Sequence, residues 1–183
     1  RDEDVFVAVV TGAGDTAFCT GWDMTAVAHG ETVPAGQDKG DHVELLFTAI
    51  QNKCWKPVVT AVNGMVTGGG LHFIADSDLI VAADNATFFD SHVRVGHASV
   101  AESIGLARRI PMEAVFRMAF MGGAERFTAQ RAYEIGLVGE VVPKGHLMER
   151  AMETAKKIMQ NSPSTLITSK KAIWEGLNYG LDA

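Results

Sequence analysis

Apolar residues recur along this chain in two different rhythms. The stretch "VFVAVVTGAG" (5–14) is a continuous, largely β-branched run closed by glycine, and "KPVVTAVNG" (56–64) and "SDLIVAADNATFF" (77–89) repeat that form. Such runs predict strands covered on both faces, as in a parallel sheet, because a half-exposed strand alternates apolar and polar positions. Between them, "GDHVELLFTAIQNKC" (40–54) spaces Val43, Leu45, Leu46, Phe47 and Ile50 for one face of a helix, and "GGGLHFIADS" (68–77) reads as a helix begun through glycine. Strand, helix, strand, helix, strand predicts an α/β architecture.

From "SVAESIGLARRI" (99–110) onward the helical rhythm takes over. Pro111 opens "MEAVFRMAFM", Thr128 is placed to cap "AQRAYEIG", and "HLMERAMETAKKIMQ" and "PSTLITSKKAIWEGL" are amphipathic. The expected division is a core over residues 1–125 and a helical region over 126–183. Polar, glycine-rich "AHGETVPAGQDKGD" (28–41) reads as a surface loop, and no internal repeat stands out in the letters. The first apolar run lies close to residue 1, so the sheet is expected to lack neighbours at that edge, through trimming or through cover by another chain.

Composition narrows the class. A chain of 183 residues, 47% hydrophobic and 21% charged, suits one soluble domain that buries roughly 70% of its unfolded surface. No run approaches the ~18 apolar residues of a membrane helix, and "RDEDVFVAVV" has neither the basic segment nor the cleavage site of a secretory signal, so a cytoplasmic protein without a membrane partner is expected. Cys19 and Cys54, far apart and outside any CxxC pattern, suit reduced packing thiols. A net charge of −6 with scattered basic residues argues against a nucleic-acid partner.

Chemistry gathers around "VTGGGLHFIA" (66–75). Glycine removes the Cβ and lets a ligand reach main-chain N–H groups, so Gly68, Gly69 and Gly70 suit an oxyanion. A second donor is available at "AFCTGWD", where Gly21 turns the chain and Trp22 follows with its own N–H. Two amides on one oxygen form an oxyanion hole, in which each donor is worth roughly 3–4 kcal/mol. On spacing alone both stretches also fit close-packing turns. Neither matches GxGxxG or the P-loop pattern.

The segments "VVTGAGDTAFCTGWDM", "KPVVTAVNGMVTGGGLHFIADSDLIVAADNATF" and "FTAQRAYEIGLVGEVVP" occur in an order and at a spacing that resemble the enoyl-CoA hydratase/isomerase (crotonase) family over most of residues 5–177. The resemblance implies a crotonase-like ββα spiral core with a C-terminal helical region involved in oligomerisation. It also implies assembly as a homotrimer or hexamer and an acyl-CoA substrate whose coenzyme A is part of the substrate, with no separate cofactor and no metal. Carried across, the oxyanion amides are Trp22 and Gly69, and Thr20, Trp22, Asp23, Met24, Gly68 and Gly69 line the substrate path. Against the family pattern the N-terminal ββα unit and the extreme C-terminus are missing.

The resemblance also exposes a departure. Where hydratases of the family carry two glutamates, this chain has His72 and His92, and Glu102 lies where some members hold an additional acid. Imidazole titrates near ~6.5 and exchanges protons at neutral pH without the burial a glutamate needs. The plainer alternatives are a helix-face His72 bonded to backbone and a first-turn Glu102 favoured by its helix. A His97-containing metal site with Glu102 fits no established spacing. Asp23 reads as a turn residue; Lys170 and Lys171 are within reach of coenzyme A phosphates on one reading and simply solvated on the plainer one. The leading expectation is enolate stabilisation in hydration or isomerisation of an enoyl-CoA. The rivals are C–C or thioester hydrolysis or decarboxylation on the same fold, and an inactive acyl-CoA-binding subunit.

Overall fold

The computed structural model describes residues 2–23 and 46–178. Each apolar run opens a pair of strands. The first gives β1 (Ala8–Thr11) and β2 (Ala17–Cys19). The second gives β3 (Val58–Val62), β4 (Met65–Val66) and a short helix α1 (Gly70–Ala75). The third gives β5 (Leu79–Ala83), β6 (Thr87–Phe88), a 3-10 turn His92–Val95 and α2 (Ala101–Leu106).

The members of each pair part into different sheets. One sheet runs β1-β3-β5-β8 and the other β2-β4-β6-β7, where β7 is Phe127–Thr128 and β8 is Glu140–Val142. Every neighbour is parallel except the antiparallel β6 and β7. The chain therefore spirals, laying one strand in each sheet per turn. This repeat is one of geometry, which explains why the letters do not show it.

Burial follows from position. All of β3 is buried because it has strands on both sides and packed faces above and below, whereas β1, at the sheet edge, is only half-buried. The expectation of two covered faces holds for β3 and fails for β1. Corners between the sheets are closed by side chains. The Asn63 amide donates to the carbonyls of Gly12, Gly14 and Ala17 at 3.2, 2.9 and 3.2 Å, and its Oδ1 accepts from Gly12 N at 3.1 Å. The half-buried carbonyls of Gly12 and Ala17 and the exposed one of Gly14 are tied together in this way by the buried Asn63.

Two apolar clusters hold the layers. The larger packs Val66, Leu71, Ile74, Phe88 and Leu106 between the sheets and helices. The smaller lays Val59, Ala61, Val81 and Ala83 against Leu147 and Ala151 of α5 (Leu147–Ile158), whose Leu147, Ala151 and Ala155 form a buried stripe at four-residue spacing.

Three expectations are corrected. Residues 126–183 are not purely helical: β7 and β8 complete both sheets, and Thr128 then caps α4 (Ala129–Glu134) by accepting from Arg131 N at 3.1 Å. Of the helix expected over 40–54, residues 46–54 form turns instead, held by Gln51 Oε1 accepting from Phe47 N and Thr48 N, while 40–45 lie outside the described residues, as does the loop 28–41. Lys170, on α6 (Pro163–Gly176), is buried rather than solvated, with Nζ 2.7 Å from Asp78 Oδ2 and 2.8 Å from Lys56 O. Lys171 is exposed beside Glu175. Pro111 precedes α3 (Met112–Met121) as expected. Among the described residues no helix is long and apolar enough to cross a membrane.

Candidate active site

Strands β2 and β4 are parallel neighbours, so the chain leaves both at the same end of the sheet, and Thr67 N donates to Cys19 O at 3.1 Å to keep them together. Gly21 turns the first strand away with φ +84°, and Gly68 turns the second with φ +53°, a region costly for residues with a Cβ. The backbones are in contact: a Cβ on Gly70 would stand 2.2 Å from Cys19 O, and one on Gly21 would stand 2.9 Å from Gly69 N. Close packing is therefore one reason for the glycines.

It is not the whole reason. Gly70 N bonds to Thr67 O at 3.0 Å and Leu71 N to Gly68 O at 2.9 Å, yet the amides of Gly69 and Trp22 have no acceptor among the described residues. Both residues line one cavity of about 170 Å³, with Cys19, Gly21, Phe47 and Phe73 as its other walls. Two amides left without a partner at a shared cavity are what a carbonyl oxygen needs on becoming an oxyanion. Thr20 and Asp23 are exposed on either side of this turn, and Met24 lies outside the described residues.

The three ionisable residues singled out in the sequence come together. His72 is on α1 and Glu102 in the first turn of α2. These helices pack tightly, since a Cβ on Gly105 would stand 2.8 Å from the Ala75 side chain. His72 Nε2 is 3.1 Å from Glu102 Oε1, and His92 Nε2 is 3.6 Å from the same oxygen. Glu102 is buried, so one carboxylate oxygen sits between two imidazoles in a poorly solvated place. Phe47 connects this row to the cavity, its ring 5.8 Å from His72 and 6.2 Å from Trp22.

The electrostatics are mutual. The hydrogen bond to Glu102 holds His72 above its ordinary 6.5, against burial, with the charges of Glu102 and Asp76 adding to the rise. Burial pushes the Glu102 carboxyl up, but the hydrogen bond from His72 and the charges of His72 and His92 outweigh it and leave the group below its ordinary value. The pair thus favours imidazolium beside carboxylate.

Sequence reasoning passed over Asp90. It is almost fully buried, its Oδ1 lies 2.6 Å from His92 Nδ1 and accepts His92 N at 2.9 Å, and its Oδ2 has no partner among the described residues. The one signal for it was a carboxylate two residues before a histidine at the head of a turn, a spacing that permits a local side-chain bond. Thr67, which precedes the glycines, donates from Oγ1 to Ser91 Oγ at 3.2 Å, tying the cavity turn to the segment that carries His92. His97 is exposed, and among the described residues no group of three or more metal-ligating side chains is arranged to hold a metal ion.

Comparison with known proteins agrees in kind. A family model described as enoyl-CoA hydratase/isomerase matches residues 1–181. Carnitinyl-CoA dehydratase of Proteus mirabilis (strain HI4320) is 35% identical over 173 residues, which are 93% of this chain and 64% of that protein. (E)-benzylidenesuccinyl-CoA hydratase of Thauera aromatica is 34% identical over 182 residues, 99% of this chain and 69% of that one. The crystal structure of an enoyl-CoA hydratase/isomerase from Mycobacterium paratuberculosis superposes with a TM-score of 0.86 at 38% identity, covering 100% of this chain and 68% of the other. This chain thus spans 64% of the length of the carnitinyl-CoA dehydratase it matches.

Proposed function

Since the chain belongs to the enoyl-CoA hydratase/isomerase family, we propose that it adds water to, or removes it from, an acyl-CoA thioester through an enolate, with coenzyme A entering as part of the substrate. The observation that carries this reading is the cavity shared by the Trp22 and Gly69 amides, neither of which has an acceptor among the described residues.

In hydration of a 2-enoyl-CoA, His92 takes a proton from water as the oxygen bonds to Cβ. The alkene electrons move toward the thioester, whose oxygen becomes negative between Trp22 N–H and Gly69 N–H. His72, held toward the imidazolium form by Glu102, gives a proton to Cα, and the carbonyl re-forms. His92 is left protonated and His72 neutral. The rings reset by exchange with solvent, His92 Nε2 losing its proton and His72 Nδ1 regaining one, while Glu102 stays ionised 3.1 Å from His72 Nε2, so that the net change is one water added. Dehydration is the reverse. Each proton-transfer group of this kind is worth roughly 10²–10⁴ in rate. Two imidazoles favour hydration over a simple double-bond shift, which one base performs.

The placing of both imidazoles on one carboxylate supports a second reading, in which a carboxylate-backed histidine activates water for C–C or thioester hydrolysis or decarboxylation. Incubation with crotonyl-CoA, following loss of the enoyl-thioester absorbance, tests the first reading. Cleavage of acetoacetyl-CoA in its place would support the second, and binding without turnover an inactive acyl-CoA-binding subunit. In a turning-over enzyme Gly69→Pro, which suits the φ of −55° but removes the amide hydrogen, is expected to lower turnover roughly 10²–10³-fold. Unchanged turnover in that variant, or in both His72→Ala and His92→Ala, would remove the assigned roles. The same reading has the enzyme cytoplasmic and assembled in three or six copies; the exposed Met112, Phe116 and Phe120 of α3 support association as such.

A further inference from the structure

The two imidazoles are not equivalent, and the difference lies in Asp90. His92 makes two contacts with a single oxygen of that residue, one from its main-chain N–H at 2.9 Å and one from ring Nδ1 at 2.6 Å. The main-chain contact fixes where the 3-10 turn begins, and the ring contact fixes how the imidazole is rotated, so position and orientation come from one atom. Asp90 follows β6, and Phe89 N donates to Val66 O at 3.2 Å, so the carboxylate is mounted on the sheet rather than on a loose loop. Its own burial is extreme, with a side chain 2% exposed and Oδ2 without a partner among the described residues. A buried carboxylate so poorly supplied with donors needs the His92 N–H groups.

We propose that Asp90 is a positioning residue that holds the proton of neutral His92 on Nδ1 and so leaves the Nε2 lone pair as the base of the reaction. An ionised carboxylate only accepts, and a bond as short as 2.6 Å to Nδ1 therefore puts the hydrogen on Nδ1. Nε2 lies 3.6 Å from Glu102 Oε1, beyond hydrogen-bond distance, and stays available. His72 has the opposite arrangement. Its Nε2 donates to Glu102 at 3.1 Å, and that bond favours the charged ring. One imidazole is set to accept a proton and the other to give one, by two different carboxylates. Asp90 acts through the His92 ring.

This inference rests on the acyl-CoA reading for what the base does, but not for where the proton sits, and the two are separable. The ¹⁵N–¹H ring correlations of the full chain, recorded at a pH alkaline enough for neutral imidazoles and assigned through His92→Gln, report the tautomer without any substrate. His92 is expected as the Nδ1–H form in the parent. A proton on Nε2 would overturn the proposal, whatever the enzyme turns over. Asp90→Asn keeps the shape but replaces one acceptor oxygen with a donor. Its NMR signature is expected to shift toward Nε2–H, or toward a mixture, and its kcat on crotonyl-CoA to fall roughly 10–100-fold with KM within about twofold. Should Asp90→Asn not fold, the parent spectrum still decides. A folded Asp90→Asn with the parent's tautomer and kcat would show that Asp90 supports the turn alone and end the proposal. Failure to turn over crotonyl-CoA, with the Nδ1–H form in place, would count against the reaction and not against Asp90.

Discussion

Two buried clusters of charge lie in this protein, and they are finished to different degrees. At the foot of α6, Lys170 Nζ contacts Asp78 Oδ2 at 2.7 Å and Lys56 O at 2.8 Å, while Asp78 also accepts from Val58 N at 2.7 Å and Trp174 Nε1 at 3.0 Å. Both oxygens and the ammonium are supplied. In the row Asp90, His92, Glu102, His72, one contact is stretched to 3.6 Å and one carboxylate oxygen has no partner among the described residues. Complete satisfaction marks a cluster that holds helix to sheet. Incomplete satisfaction marks one kept ready for a further partner, since a buried polar group left short is costly unless something else makes use of it.

The contrast breaks if the two clusters respond alike to mutation. Glu102→Gln removes the charge shared by both imidazoles. Turnover is expected to fall about 10³-fold, read in steady-state kinetics, with a stability loss of no more than about 1 kcal/mol. Lys170→Met should do the reverse, lowering unfolding free energy by about 3 kcal/mol in chemical denaturation while turnover per folded molecule stays at the parent level. A Lys170 variant inactive at full stability, or a Glu102 variant destabilised by about 3 kcal/mol with turnover per folded molecule at the parent level, would erase the distinction.

The smallest effect is the one that sharpens it. His72, raised above 6.5, contributes stability in full below that pH and loses it as pH rises through the folded value. Glu102, lowered below 4.5, contributes above that pH and loses it as pH falls through its folded value. The stability difference between parent and Glu102→Gln should therefore be greatest between about 4.5 and 6.5, on the order of 1 kcal/mol, and shrink on both sides. Denaturation at acid, intermediate and alkaline pH checks it, and a flat difference would mean that the pair is solvated like a surface pair.

Much of this was legible in the letters, for a physical reason in each case. Unbroken β-branched runs announce buried strands, and β3 and β5 lie where they were expected. Pro111 and Thr128 mark helix starts because a missing N–H or a hydroxyl acceptor is useful only there. The grouping of His72, His92 and Glu102 was expected from a family resemblance rather than from spacing. What stayed hidden has reasons as well. Strands β4, β6 and β7 are two residues long, too short to establish a period of two. The buried state of Lys170 depends on Asp78, which is distant in sequence, and long-range pairing leaves no local pattern. Asp90 resembles any turn aspartate until its depth is known.

Asn63 bears on how such a molecule is put together. Its amide reaches three carbonyls belonging to the preceding turn of the chain, and Asn85 Nδ2 in turn donates to Asn63 O at 3.4 Å. A coil stacked one residue out of step would leave the buried Asn63 amide without these partners, at a cost of roughly 1–3 kcal/mol. Assembly thus carries its own proofreading, in which every new lap of the chain inspects the alignment of the one beneath it.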